Sequence, residues 1–193
     1  MGGPHVTLLP NEAIEHCDYI IVGEAEETWP QFLDDFYKGC AKREYKCENI
    51  PSLEGIPIAR RDLIKRRFLT RGAAFATRGC PYKCSYCNLK QIYCDSFRTR
   101  PINEVIEDIK NIKCKYFVFW DDNFFGDVDY AKRLMTEMTK LKKRWAAQVT
   151  LERCQDEELL KIAKKNQGAY TFLSALNLFR RKAFQALTRG LIT

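Results

Sequence analysis

Three cysteines within eight residues, Cys80, Cys84 and Cys87, carry the strongest chemical signal in the chain. Their C-x3-C-x2-C spacing puts three thiolates on one tight loop, close enough to bind a single inorganic centre, with Gly79 and Pro81 restricting the backbone around it. A fourth protein ligand is not obvious. A structural zinc site normally takes four ligands in two pairs, and a complete four-cysteine iron–sulfur cluster also wants the fourth thiolate. Three ligands on a four-iron cubane leave one iron open, and an open iron can be chelated by the amino and carboxylate groups of a methionine moiety. The remaining six cysteines, Cys17, Cys40, Cys47, Cys94, Cys114 and Cys154, stand singly and read as small buried hydrophobes.

A second polar cluster, Asp121-Asp122-Asn123, sits between the aromatics Phe119-Trp120 and Phe124-Phe125. Composition sets the frame for both. The chain has 193 residues, 46% hydrophobic and 30% charged, enough for one ordinary core or one and a half smaller ones. Its net charge of +7 permits an anionic partner without demanding one. The basic runs at 65–67 and 142–144 lack interleaved aromatics and read as solvated helix faces, so nucleic-acid binding is not expected. No window approaches the roughly 20 uncharged apolar residues of a membrane span, and the first residues lack a secretory pattern. The expected location is cytoplasmic, where nine cysteines remain thiols available to metals.

The elements that must position these residues alternate. Asn11 to His16 reads as a short helix, Tyr19 to Val22 as a buried strand, and Thr28 to Phe36 as a second helix with Thr28 as N-cap. Residues 43 to 72, punctuated by Pro51, Gly55 and Pro57, read as a connection. A second run starts with the strand Ala73 to Thr77, with the cysteine loop after it. Ile102, Val105, Ile106, Ile109 and Ile112 fall at helical spacing before the strand Tyr116 to Trp120. Ala131, Leu134, Met135, Met138 and Leu141 mark the next helix, and Trp145 to Thr150 the next strand. A helix capped by Asp156 with Leu159, Leu160 and Ile162 inward, a strand from Tyr170 to Leu176, and a helix from Arg180 to Leu187 complete the pattern. Strands each followed by a helix imply an α/β fold with a parallel sheet, whose ligands sit at the carboxyl ends of the strands. Both the cysteine loop and the Asp121–Asp122 turn lie at such ends.

Thr77-Arg78-Gly79-Cys80-Pro81-Tyr82-Lys83-Cys84-Ser85-Tyr86-Cys87 resembles the cluster signature of the radical S-adenosylmethionine (SAM) superfamily, in its B12-binding-domain-containing type. Phe119 to Phe125 is similar to that family's aspartate-rich turn, and Gly2 to Thr7 with Gly23-Glu24-Ala25-Glu26 resembles the closing part of its cobalamin-binding domain. The resemblance implies a partial radical SAM (βα) barrel of about four βα units over 73–193, preceded by the closing part of a Rossmann-like cobalamin-binding domain over 1–42 and a linker over 43–72. It implies a [4Fe-4S] cluster on Cys80, Cys84 and Cys87, and SAM on the open iron, cleaved reductively to a 5′-deoxyadenosyl radical. Tyr86 would lie against the adenine, Asp121 or Asp122 would meet the SAM ammonium, and Gln148 and Asn177 would be further cofactor contacts. An electron donor such as flavodoxin or ferredoxin and an unassigned small-molecule substrate complete the implied partners.

The chain departs from the family in three respects. The units that precede the closing part of the cobalamin domain, with the histidine that can ligate cobalt, have no counterpart, and His5 reads as a loop residue. Ser174-Ala175-Leu176-Asn177 stands where the family has a glycine and then a glutamate, so Asn177 can bond a ribose hydroxyl but lacks the charge. Both ends read as cut. The expectation from a different class is therefore a truncated, noncatalytic remnant holding zinc or iron–sulfur on the same cysteines, or one half of a split enzyme.

Overall fold

Proline at the first helical position, where its missing N–H costs nothing, starts each of two short helices, α1 (Pro4–Leu8) and α2 (Pro10–Ala13). The computed structural model describes residues 1–63, 72–150, 152–165 and 169–173, the last stretch as backbone. The chain divides into two compact units, Met1–Pro57 with Arg78–Arg98, and Ile58–Thr77 with Thr99–Thr193.

In the first unit, β1 (Ile20–Val22) is buried throughout and pairs in parallel with β2 (Glu44–Lys46), Ile20 opposite Glu44. Parallel neighbours need a crossover, and α3 (Ala25–Tyr37) supplies it. Phe32 on α3 packs its ring 5.2 Å from Tyr19 and 5.5 Å from Tyr45, and the Tyr45 hydroxyl donates to Asp35 at 2.8 Å. Two expectations change here. Thr28 is not the N-cap: α3 begins a turn earlier, and the buried Thr28 hydroxyl donates back to the Glu24 carbonyl at 3.0 Å, four residues before it. Residues 44–46, read as part of a connection, form a strand because alternation leaves only Tyr45 buried, too short a pattern to stand out. The same unit contains α4 (Leu89–Ile92), after the cysteine loop.

The second unit is built on a parallel sheet in the order β3 (Ala73–Ala74), β6 (Tyr116–Phe119), β7 (Arg144–Val149) and β8 (Ala169–Leu173), four strands among the described residues. Ala73 lies opposite Val118, Tyr116 opposite Arg144, and Trp145 opposite Ala169. The crossovers are α5 (Ile102–Asn111), α6 (Val128–Met138) and α7 (Glu157–Lys165). Each presents the predicted apolar face: Val105, Ile109 and Ile112, then Ala131, Leu134, Met135 and Met138, then Leu159 are buried. On α7, Ala163 is buried beside Leu159, Ile162 packs half-buried against the same core as expected, Leu160 is half-buried, and the Asp156 carboxylate caps the helix by accepting from the Leu159 amide at 3.0 Å. Phe117, Phe119, Phe124 and Trp145 fill the space between sheet and helices, with Phe119 stacked on Phe124 at 4.5 Å. Each such side chain contributes about 1.5–3 kcal/mol by leaving water. The architecture is a mixed α/β fold. The predicted helix from Arg180 to Leu187 lies outside the described residues, as does Asn177. No helix among the described residues is long and apolar enough to cross a membrane.

The predicted strand Ala73 to Thr77 is broken in two, and the break has a cause. Ala74 still accepts from the Trp120 amide at 2.8 Å, but the amides of Ala76 and Thr77 turn to the Asp121 carboxylate. The backbone leaves the β6 ladder and starts β4 (Thr77–Gly79), which pairs with β5 (Phe97–Thr99) in a separate two-stranded sheet.

Candidate functional site

The cysteine loop hangs between β4 and β5. Gly79 closes β4 at φ +86°, and a Cβ placed there would sit 2.1 Å from the Ser96 carbonyl oxygen, so the two backbones approach in a way that only glycine allows. Cys80 and Cys87 are half-buried and Cys84 is exposed. A turn bond from the Cys87 amide to the Cys84 carbonyl, 3.1 Å, folds the C-x2-C half of the loop. Lys83 reaches the Asp95 carboxylate at 3.0 Å, and Lys90 joins it at 3.5 Å. The Tyr86 ring is 69% exposed, and its hydroxyl shares a hydrogen bond with Cys84 that holds the phenol above its ordinary range.

None of the nine cysteines is in a disulfide, and of the six outside the loop, read from sequence as buried, Cys154 is buried while Cys40 and Cys94 are exposed. Among the described residues no three His, Cys, Asp or Glu side chains converge on one point as a metal-ion cage. The donor set nevertheless fits an iron–sulfur cluster in its chemistry: three soft sulfur ligands on one reachable loop, with no carboxylate or imidazole interleaved between them.

The base of this loop is tied by a third group. Glu24, at the start of α3, accepts from Arg98 at 2.5 Å through one oxygen and from Arg78 through the other. Arg78 also pairs with Glu26 at 2.7 Å, and Arg98 donates to the Pro51 carbonyl at 2.6 Å. Neighbouring carboxylates hold Arg78 charged, above its ordinary range, against the opposing effect of burial, while Arg78 holds Glu26 below the usual carboxylate range. Sequence reasoning quoted Glu24 and Arg78 within their motifs but missed Arg98. Its only local signal is the Phe97-Arg98-Thr99 alternation of a short strand.

In the second unit Asp121 is 1% exposed, and its carboxylate is committed to the end of the broken strand. It accepts from the Ala76 amide at 3.0 Å, from the Thr77 amide, and from the Thr77 hydroxyl at 2.6 Å. Burial pushes its pKa up to about 7; the Thr77 and Ala76 hydrogen bonds pull the other way, and the adjacent Asp122 adds to the rise. Asp122 is half-buried and Asn123 buried. Gln148, half-buried on β7, lies beside this turn, because its carbonyl accepts from the Phe124 amide at 2.9 Å. The structure thus brings Asp121, Asp122 and Gln148 together in one unit, and Cys80, Cys84, Cys87 and Tyr86 together in the other. The ends of the cysteine segment are joined where it leaves the second unit: the Arg100 amide donates to the Ala76 carbonyl at 2.8 Å, and the Tyr130 hydroxyl reaches the Arg100 carbonyl at 2.7 Å and the Ala76 carbonyl at 3.3 Å.

No protein-family model matches the chain. It is similar to bacteriochlorophyllide d C-12(1)-methyltransferase of Chlorobaculum tepidum, 30% identical over 177 residues that cover 86% of this chain and 39% of that protein. The C-8(2)-methyltransferase of the same organism is 38% identical over 56 residues, 29% of this chain and 12% of that protein. The fold is similar to that of the radical S-adenosylmethionine methyltransferase TsrM from Kitasatospora setae, solved with tryptophan substrate and the SAM analog aza-SAM bound. That likeness has a TM-score of 0.68 at 15% identity, over 86% of this chain and 39% of that one. The chain spans about two fifths of the length of the first of these relatives.

Proposed function

This chain belongs to the radical SAM superfamily, in its B12-binding-domain-containing type, and from that premise we propose that Cys80, Cys84 and Cys87 hold a [4Fe-4S] cluster whose open iron binds SAM. The reaction class is methyl transfer, since the matched relatives are methyltransferases by name; cobalamin enters by resemblance alone. Bound on this loop, the cluster supplies the single electron for reductive cleavage of SAM.

The protein's own residues hold and orient. Gly79 lets the loop leave β4 hard against Ser96, and the Cys84–Cys87 turn keeps two of the three thiols on one bend. The exposed ring of Tyr86 is the flat surface offered to adenine. Asp121 is committed to Ala76 and Thr77; a contact of Asp121 or Asp122 with the SAM ammonium stands by resemblance alone. Gln148 and Asn177 stand as cofactor contacts by resemblance alone. An electron donor of the flavodoxin or ferredoxin kind is required by the chemistry.

The observation that carries this reading is the cysteine loop: three cysteines outside any disulfide, at C-x3-C-x2-C spacing, on a segment whose entry tolerates only glycine. Anaerobic reconstitution with iron and sulfide tests it. The expected result is a brown protein whose reduced-state EPR spectrum changes when SAM is added. Binding of zinc in place of iron refutes the cluster, and an EPR spectrum indifferent to SAM refutes the open iron.

A further inference from the structure

The cysteine segment carries its ligands on a long loop, and such a loop holds three thiols in register only if its base is rigid. The two strands at that base each present an arginine. Arg78 lies on β4, two residues before Cys80, and Arg98 lies on β5, eleven residues after Cys87. Both guanidinium groups are largely withdrawn from water, with side chains 19% and 16% exposed, and both face Glu24, whose side chain is 10% exposed. All of these residues belong to the first unit.

Two like charges on paired strands repel, so the strands close only around a counter-charge. Glu24 takes one arginine on each carboxylate oxygen. Glu26 takes the other nitrogen of Arg78, and the Pro51 carbonyl takes the other terminal nitrogen of Arg98. Two arginines and two glutamates cancel, so the group offers no net charge to an incoming anion, and its effect is on geometry. Glu26 Oε2 and Arg98 Nε are buried without a hydrogen-bond partner, and removing a further partner from buried charges of this kind is costly.

We propose that Glu24 is a positioning residue for the cysteine loop, a single carboxylate that clamps the outgoing and returning strands together and so presets the spacing of Cys80, Cys84 and Cys87. The inference rests on those cysteines being cluster ligands. It assigns the Gly23-Glu24-Ala25-Glu26 turn, which resembles part of a cobalamin-binding domain, a second task at the cluster.

Hydrogen exchange of the metal-free full chain, read by mass spectrometry, tests the clamp without any cofactor. In Glu24→Gln, peptides within 78–98 exchange on the order of tenfold faster than in the parent, while peptides within 128–149 keep the parental rate. Arg98→Lys, which keeps the charge but loses the forked geometry, shows the same pattern and serves if Glu24→Gln does not fold. Asp34→Asn, which breaks the exposed Asp34–Lys38 pair, is the control and changes neither region. After reconstitution, Glu24→Gln and Arg98→Lys lose iron to a chelator several-fold faster than the parent, and the EPR lines of their reduced cluster broaden. Unchanged exchange in 78–98, or acceleration spread evenly over both regions, overturns the clamp. A parent chain that takes up no iron overturns the cluster reading instead, while the exchange data still decide whether Glu24 holds the loop.

Discussion

Asp121 should make the stability of this chain fall as the pH rises. Its carboxyl keeps a proton up to about 7 in the folded chain, against an ordinary 3.8 once unfolded. Between those values the folded state binds the extra proton, so stability is complete below the unfolded value and drains away until the folded one is passed. The difference corresponds to roughly 4 kcal/mol in all, of which about 2 kcal/mol falls between about pH 5.5 and 8. Urea unfolding at constant ionic strength across that window measures it directly. Asp121→Asn cannot titrate, so its profile should lose this slope. That variant should also be less stable than the parent at the acidic end by about 1–3 kcal/mol, because its amide NH2 would face the Ala76 or Thr77 donors. A slope that survives in Asp121→Asn, or a parental profile that rises with pH, would show that burial does not dominate at this carboxylate.

Thr77→Val removes the hydroxyl that donates to Asp121 at 2.6 Å and should cost about 1.5–3 kcal/mol, shifting the same slope to higher pH in the same urea series. Gly79→Ala forces a φ of +86° on an L-residue and drives a methyl to within 2.1 Å of the Ser96 oxygen; stability should fall by at least about 2 kcal/mol, and iron uptake should fall with it, read by thermal melting and metal analysis. Asp108→Ala strips the buried Arg100 of an acceptor at 3.2 Å and Arg61 of one at 2.6 Å, an expected loss of about 3–5 kcal/mol in urea unfolding. Cys84→Ser should abolish stoichiometric iron binding, whereas Cys154→Ser, in the core of the second unit, should leave the iron content of the folded fraction unchanged.

Local periodicity made much of this fold legible. The apolar faces of α5 and α6 stand where Val105, Ile109, Leu134 and Met135 repeat at helical spacing, because a helix must bury one stripe. The cysteine motif was legible for the same reason, since its geometry is contained in eight residues. What escaped depends on partners far along the chain. Nothing near Ala76 signals that a strand will break there; the cause is a carboxylate 45 residues away. Arg98 gives no hint that it will share an acceptor with Arg78, because that acceptor lies 74 residues earlier. The short elements α1, β2 and β5 offer too few positions for a period to register. Asp121 and Asp122 were not separable from sequence, and the separation came from where one of them is buried.

The small knot of bonds among Ala76, Arg100 and Tyr130 has a topological meaning. The chain departs for the cysteine loop and comes home through one doorway, closed by the Arg100 amide and latched by a single phenol from α6. An excursion whose two ends are already joined costs little extra entropy as it lengthens, since each doubling adds only about 0.6 kcal/mol. The loop can therefore be trimmed, extended or exchanged for that of a relative while the parallel sheet keeps its register. The segment that would do chemistry thus begins and ends at residues that are bonded to one another.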